Sequence, residues 1–166
     1  MRWALALLAL TAFSGSAQQQ QEVGKQCLSC HIEYVEDLRS HKHAAKGISC
    51  EVCHGDSQQH RNAVGATSPD RVAAPDEVPA LCGGCHVPQG KLYATSAHGK
   101  LVLSSSKTRA ANCGTCHGVH ALRNAVAMKR QCDRCHAELP AACKKGTAGE
   151  SKLVCASCHN PHTLKR

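Results

Sequence analysis

Apolar positions fall into one sustained block and then scatter. Residues 3–13 are apolar except for Thr11. Met1-Arg2 supplies a positive charge ahead of them, and Ser14, Gly15, Ser16 and Ala17 form a run of small residues before Gln18. A charged start, an apolar stretch and a small-residue cleavage site make a secretory signal peptide. Residues 1–17 are therefore read as a cleaved leader and 18–166 as the mature chain. The rival is an uncleaved anchor, but the run is shorter than the ~20 apolar residues of a spanning helix. No cysteine lies near the cleavage point to carry a lipid. No later stretch is long and apolar. The mature chain is expected to be exported, periplasmic or extracellular, with no integral membrane segment.

Beyond the leader the pattern supports only short elements. Helices are predicted over 33–39, 91–101 and 125–130, with Gly and Pro punctuating the rest. The expected fold is mostly irregular with short α-helices. Trp3, Phe13, Tyr34 and Tyr93 are the only aromatic side chains, and the first two leave with the leader. Large aromatics normally contribute much of a core's burial energy, so a conventional aromatic core is excluded and something else must fill the interior.

Thirteen cysteines supply it. Twelve fall into one pattern: Cys27-x-x-Cys30-His31, Cys50-x-x-Cys53-His54, Cys82-x-x-Cys85-His86, Cys113-x-x-Cys116-His117, Cys132-x-x-Cys135-His136 and Cys155-x-x-Cys158-His159. Export alone invites a disulfide reading. Paired Cys-x-x-Cys units also build zinc sites, and single ones build redox couples. Neither rival needs a histidine after every second cysteine. Cys-x-x-Cys-His is the attachment signature of haem c. Two residues between the thiols let both sulfurs form thioethers with the vinyl groups on one porphyrin edge, and the next histidine is carried under the ring to meet the iron. Six covalently bound haem c groups are expected.

Six haems have twelve axial positions, and the chain has twelve histidines. His31, His54, His86, His117, His136 and His159 are the proximal candidates. His41, His43, His60, His98, His120 and His162 remain as distal candidates, and imidazole is a standard haem ligand. An internal repeat orders them. His43 follows His31 by the same interval as His98 follows His86, and each precedes a further motif. His60, His120 and His162 follow the second motif of each pair. The chain thus reads as three di-haem modules, about 27–60, 82–120 and 132–162, joined by 61–79 and 121–131.

The third module departs from the repeat. No histidine lies between His136 and His159, and Ala148 stands at the repeated interval. The one cysteine outside the motifs, Cys143, lies in this stretch. Three readings remain open. His41 crosses between modules and every haem is bis-histidine; or Cys143 thiolate is the alternative distal ligand to one haem and His41 is spare; or one iron keeps an open position near Met128.

The chain resembles the small multihaem c-type cytochromes of the class III cytochrome c and doubled Cys-x-x-Cys-His group. The resemblance lies in residues 93–100, in Cys113 through His120, and in Cys155 through His162 with its Asn160-Pro161 ending. It implies a haem-cored multihaem cytochrome that transfers electrons. It also implies that His60, His120 and His162 tie the two haems of a module together. The group includes enzymes and filament-forming cytochromes, so resemblance alone does not assign the role.

The mature chain, about 149 residues, would have a radius of gyration near 15 Å when compact. Six porphyrins in that volume lie close enough for electrons to hop, and they replace the missing core. Without haem no stable fold is expected. Bis-histidine ligation sets low potentials. The formal charge of +8 raises a nucleic-acid reading. Export and twelve haem propionates argue against it, and side chains such as Lys42, Lys46, Lys107, Arg109, Lys144 and Lys145 are candidates to pair with propionates. The expectation is an electron carrier serving redox partner proteins, including a membrane or extracellular electron-transfer complex, as a monomer, homo-oligomer or filament subunit. The alternative is a multihaem reductase of a small oxyanion or sulfur species at one Cys-ligated or five-coordinate haem.

Overall fold

The computed structural model describes residues 24–105, 107–138 and 155–166. The leader, Cys143 and Ala148 lie outside them. The described residues form nine short α-helices: α1 (Lys25–Leu28), α2 (Val35–Ser40), α3 (Cys50–His54), α4 (Gln58–Asn62), α5 (Val78–Gly83), α6 (Val87–Ala94), α7 (Ala97–Ser104), α8 (Cys113–His117) and α9 (Ala125–Asp133). Three 3-10 turns, Ile32–Tyr34, Ala44–Lys46 and Cys155–Ser157, complete them. No strand occurs among the described residues, and none of their helices is long and apolar enough to cross a membrane. The expected fold, irregular with short helices, is what the backbone adopts.

The chain divides into two compact units, Met1–Asp70 and Arg71–Arg166. The boundary falls inside the segment 61–79, whereas the second and third pairs of motifs share one unit.

In the first unit, α1 begins at Gly24, whose backbone is left-handed at φ 71°. A Cβ there would lie 2.8 Å from Cys50 Sγ, so glycine lets the first motif close against the second. The helix predicted over 33–39 is a 3-10 turn followed by α2. The unit's end is pinned by a reciprocal pair: Ser57 N–H donates to Asp70 Oδ2 at 2.7 Å, and Asp70 N–H donates to Ser57 Oγ at 3.1 Å.

In the second unit, the single helix predicted over 91–101 is two. Ser96 interrupts it as an N-cap whose hydroxyl accepts the Gly99 N–H at 2.9 Å, and α7 starts afresh. The break turns α7 back on α6 so closely that a Cβ on Gly99 would overlap the Tyr93 carbonyl oxygen. Tyr93 is buried, and its hydroxyl donates to Ala111 O at 2.8 Å. Burial pushes that hydroxyl's pKa up to about 12. Asn112 closes a capping box with Thr115 at the head of α8 and also donates to Pro75 O at 3.1 Å. Helix α9 is capped by Asn124 and runs beyond the predicted 130 into the fifth motif.

Only Ala44, Pro79, Tyr93 and Val102 bury apolar side chains among the described residues, while Ile32 and Val119 are more than half exposed. Along the chain, Ile32 follows His31 directly and Val119 follows His117 by two residues.

Gly99→Ala should destabilise the holoprotein by about 1–3 kcal/mol, because backbone must move to admit the methyl group. Gly84→Ala should be nearly neutral, since its new Cβ would sit at an ordinary 3.6 Å from Leu81 O. Thermal unfolding followed at the Soret band measures both; equal stabilities would refute the packing account of the α6–α7 turn.

Candidate functional site

Each Cys-x-x-Cys-His segment is a single helical turn. In the first, third, fifth and sixth, the second cysteine and the histidine donate their amides to the first cysteine's carbonyl at 2.8–3.2 Å. In the second and fourth, the motif is itself a helix, α3 and α8. One turn brings positions i, i+3 and i+4 to a common side. The recurring chemistry thus rests on a recurring backbone shape.

The motif cysteines form no disulfide among the described residues. Burial pushes Cys50, Cys113 and Cys132 up to about 11, with the neighbouring thiols of Cys27, Cys82 and Cys155 adding to the shift. Burial also raises Cys116. A thioredoxin-like nucleophile needs the opposite shift. The three neighbour pairs are within side-chain hydrogen-bonding reach, and each joins the first cysteines of two successive motifs.

Three histidine ring pairs among the described residues have centroids about 6 Å apart. His31 and His60 lie 6.0 Å apart, nearly parallel at 10°. His98 and His136 lie 5.9 Å apart, and His117 and His162 lie 6.1 Å apart. Two imidazoles bound to opposite sides of one metal, each through a bond of about 2 Å, place their ring centres about 6 Å apart. The spacing of all three pairs fits an iron between them.

Ring partners fix the tautomers. His60 Nδ1 donates to Thr67 O at 2.6 Å. His31 Nδ1 faces Glu33 Oε1 at 3.3 Å, and His159 Nδ1 faces Leu164 O at 3.3 Å. A proton on Nδ1 leaves the Nε2 lone pair for a metal. The Glu33 carboxyl is held below its usual range by a backbone hydrogen bond and then by His31. Burial lowers His98, as does His136; burial also lowers His117, helped by His162 and His86. Both are thereby kept in the neutral form that ligates metals.

The other candidates are placed as follows. His54 ends α3, His86 precedes α6, and His120 lies in the turn after α8. His43 opens the Ala44–Lys46 turn, and His41 is buried with its Nδ1 accepting the His43 N–H at 3.1 Å. Met128 lies in α9, and its carbonyl accepts the Cys132 thiol at 3.6 Å. The ring next to His162 is that of His117, from the preceding pair of motifs. His98 of that pair in turn faces His136 of the third. Sequence spacing carries no signal for this exchange, nor for the carbonyls of Thr67 and Leu164.

Helical turns presenting two thiols and a histidine, paired imidazoles at an iron's spacing, and exposed apolar side chains within or next to the motifs fit haem and define a multihaem c-type cytochrome. The cytochrome c3 family model matches residues 41–137, more than half the chain, and the protein belongs to that family. A second family model, cytochrome c554 and c-prime, matches residues 9–55. Multiheme cytochrome MtrA of Shewanella baltica (strain OS185) is 27% identical over 159 residues, which cover 82% of this chain and 45% of that protein. The chain thus spans less than half the length of that curated relative. No solved structure matches. As a member of the cytochrome c3 family, the protein carries covalently bound haem c.

His98→Ala and His162→Ala should each turn one low-spin haem high-spin, and the double variant should turn two. Near-infrared magnetic circular dichroism of the oxidised holoprotein counts them; no high-spin signal in either single variant would refute the pairing.

Proposed function

We propose that the protein is an exported, low-potential hexahaem electron carrier. The observation that carries this reading is the set of three opposed imidazole pairs at 5.9–6.1 Å beside repeated Cys-x-x-Cys-His turns.

Cys27 and Cys30, Cys50 and Cys53, Cys82 and Cys85, Cys113 and Cys116, Cys132 and Cys135, and Cys155 and Cys158 hold the haems as thioethers. His31, His54, His86, His117, His136 and His159 are the proximal ligands. His60, His162 and His98 are the distal partners of His31, His117 and His136. Bound haem supplies an iron that takes up and releases one electron at a time. The chain's part is to fill most axial positions with imidazole, which lowers the potential and excludes substrate from those irons. The closeness of Cys27 to Cys50, Cys82 to Cys113 and Cys132 to Cys155 supports three di-haem modules, each with its two attachment points adjacent. Short separations between haems favour transfer by hopping. The partners are redox proteins of a membrane or extracellular chain, and end-to-end assembly into a filament is one arrangement that would extend the haem row.

The second reading, a reductase at one unusual haem, is favoured by one observation. The His41 Nδ1 accepts a backbone N–H, which disfavours that ring as an Nε2 ligand. Cys143 is then the side chain best suited to the remaining axial position.

Intact-mass measurement should find six haems per chain, and near-infrared magnetic circular dichroism should find mainly bis-histidine iron. A mass showing fewer haems would refute the hexahaem reading. Cys143→Ser should leave the spectrum and electron transfer unchanged in a carrier; loss of a thiolate band together with loss of oxyanion or sulfur-species reduction would establish the reductase instead.

A further inference from the structure

The first module carries two histidines ahead of its second motif, His41 and His43, where the second module carries only His98. The two are not equivalent. His41 is 5% exposed, whereas His43 is exposed. The His43 N–H donates to Nδ1 of His41 at 3.1 Å, so Nδ1 holds the lone pair and the neutral ring's proton sits on Nε2. That is the reverse of His60, whose Nδ1 donates to a carbonyl.

The backbone holds His41 in place as well. Its N–H donates to Leu38 O at 3.0 Å at the end of α2, and its carbonyl accepts the Ala45 N–H at 3.1 Å. Ala44 beside it is buried at 3% exposure. The His41 and His43 rings lie 5.0 Å apart and tilted by 46°. This is closer than the three opposed pairs, so the two rings do not face one another across an iron.

We propose that His41 is a positioning residue whose Nδ1 anchors the backbone at His43, so that His43, and not His41, is the haem ligand presented by this segment. The proposal rests on the reading of the chain as a haem protein with histidine distal ligands. It explains why two histidines stand where the repeat needs one: the first fixes the turn from which the second projects.

The test uses the full-length holoprotein and substitutions that separate the two roles. Asparagine at position 41 offers an oxygen near the place of Nδ1 but does not extend to the place of Nε2. Leucine fills the volume and accepts nothing. His43→Ala should turn one haem high-spin in near-infrared magnetic circular dichroism. His41→Asn should keep the wild-type number of low-spin haems and the wild-type electron paramagnetic resonance spectrum. His41→Leu should also stay fully low-spin, but with the g-values of one haem shifted, because the turn no longer holds His43. A high-spin haem in His41→Asn would make His41 a ligand and overturn the proposal. So would a His43→Ala variant with every haem still low-spin, or a His41→Leu spectrum identical to wild type. Intact mass separates these outcomes from failure of the haem reading: a wild-type chain without covalent haem would defeat that reading first.

Discussion

The bond between one helical turn and one haem is the constraint on which everything else depends. Among the described residues the protein buries only four apolar side chains, and it leaves Val52, Val87, Val119 and Val126 exposed. Burial of that extent is far from offsetting the entropy of ordering a backbone, about 1–2 kcal/mol per residue. The folded state therefore draws its apolar interior from the cofactor. Covalent attachment makes this feasible in a small chain, because a haem held by two thioethers does not have to be enclosed to be retained. Short helices follow from the same constraint. A motif needs one turn, and α3 and α8 are little more than that turn.

Axial ligation turns local attachments into tertiary structure. In the second unit, the His98–His136 and His117–His162 pairs run in opposite directions between the two pairs of motifs. Iron between each pair would make two cross-links between segments that otherwise share few buried side chains. The same exchange recasts the departure in the third module. His98, ahead of the second motif of its module, faces a ring of the module after it. In that pattern, His136 draws its partner from the preceding pair of motifs and not from a histidine ahead of Cys155.

The six attachment turns were legible in the sequence because their chemistry is local: thiols at i and i+3 and a ligand at i+4 meet wherever a helical turn forms. The irregular, strandless backbone was legible from the scarcity of long apolar periodicity. What escaped the sequence depends on non-local or backbone groups. The division of 91–101 into α6 and α7 turns on the Ser96 hydroxyl competing for the Gly99 amide, a choice that helix propensity alone does not register. Which histidine lies next to which is decided by packing between segments, so the spacing of the repeat names candidate side chains but carries no signal for the neighbours of His98 and His162. Carbonyls such as Thr67 O have no sequence signature at all.

Nδ1 chemistry is where this distinction acquires functional weight. A histidine's type says only that it could bind iron; the group at its far nitrogen says whether it is set to do so. His31 and His60 each have an acceptor at Nδ1, a carboxylate and a carbonyl. Such partners raise the basicity of the coordinating nitrogen and thereby favour ferric over ferrous iron. His41 has a donor there and is set against coordination. A chain built almost entirely of repeated motifs can thus differentiate its haems without altering the motifs, by changing which backbone group meets each imidazole from behind. A row of chemically identical haems would offer electrons no direction, and these second contacts are the means by which one repeated turn can give each iron a different potential.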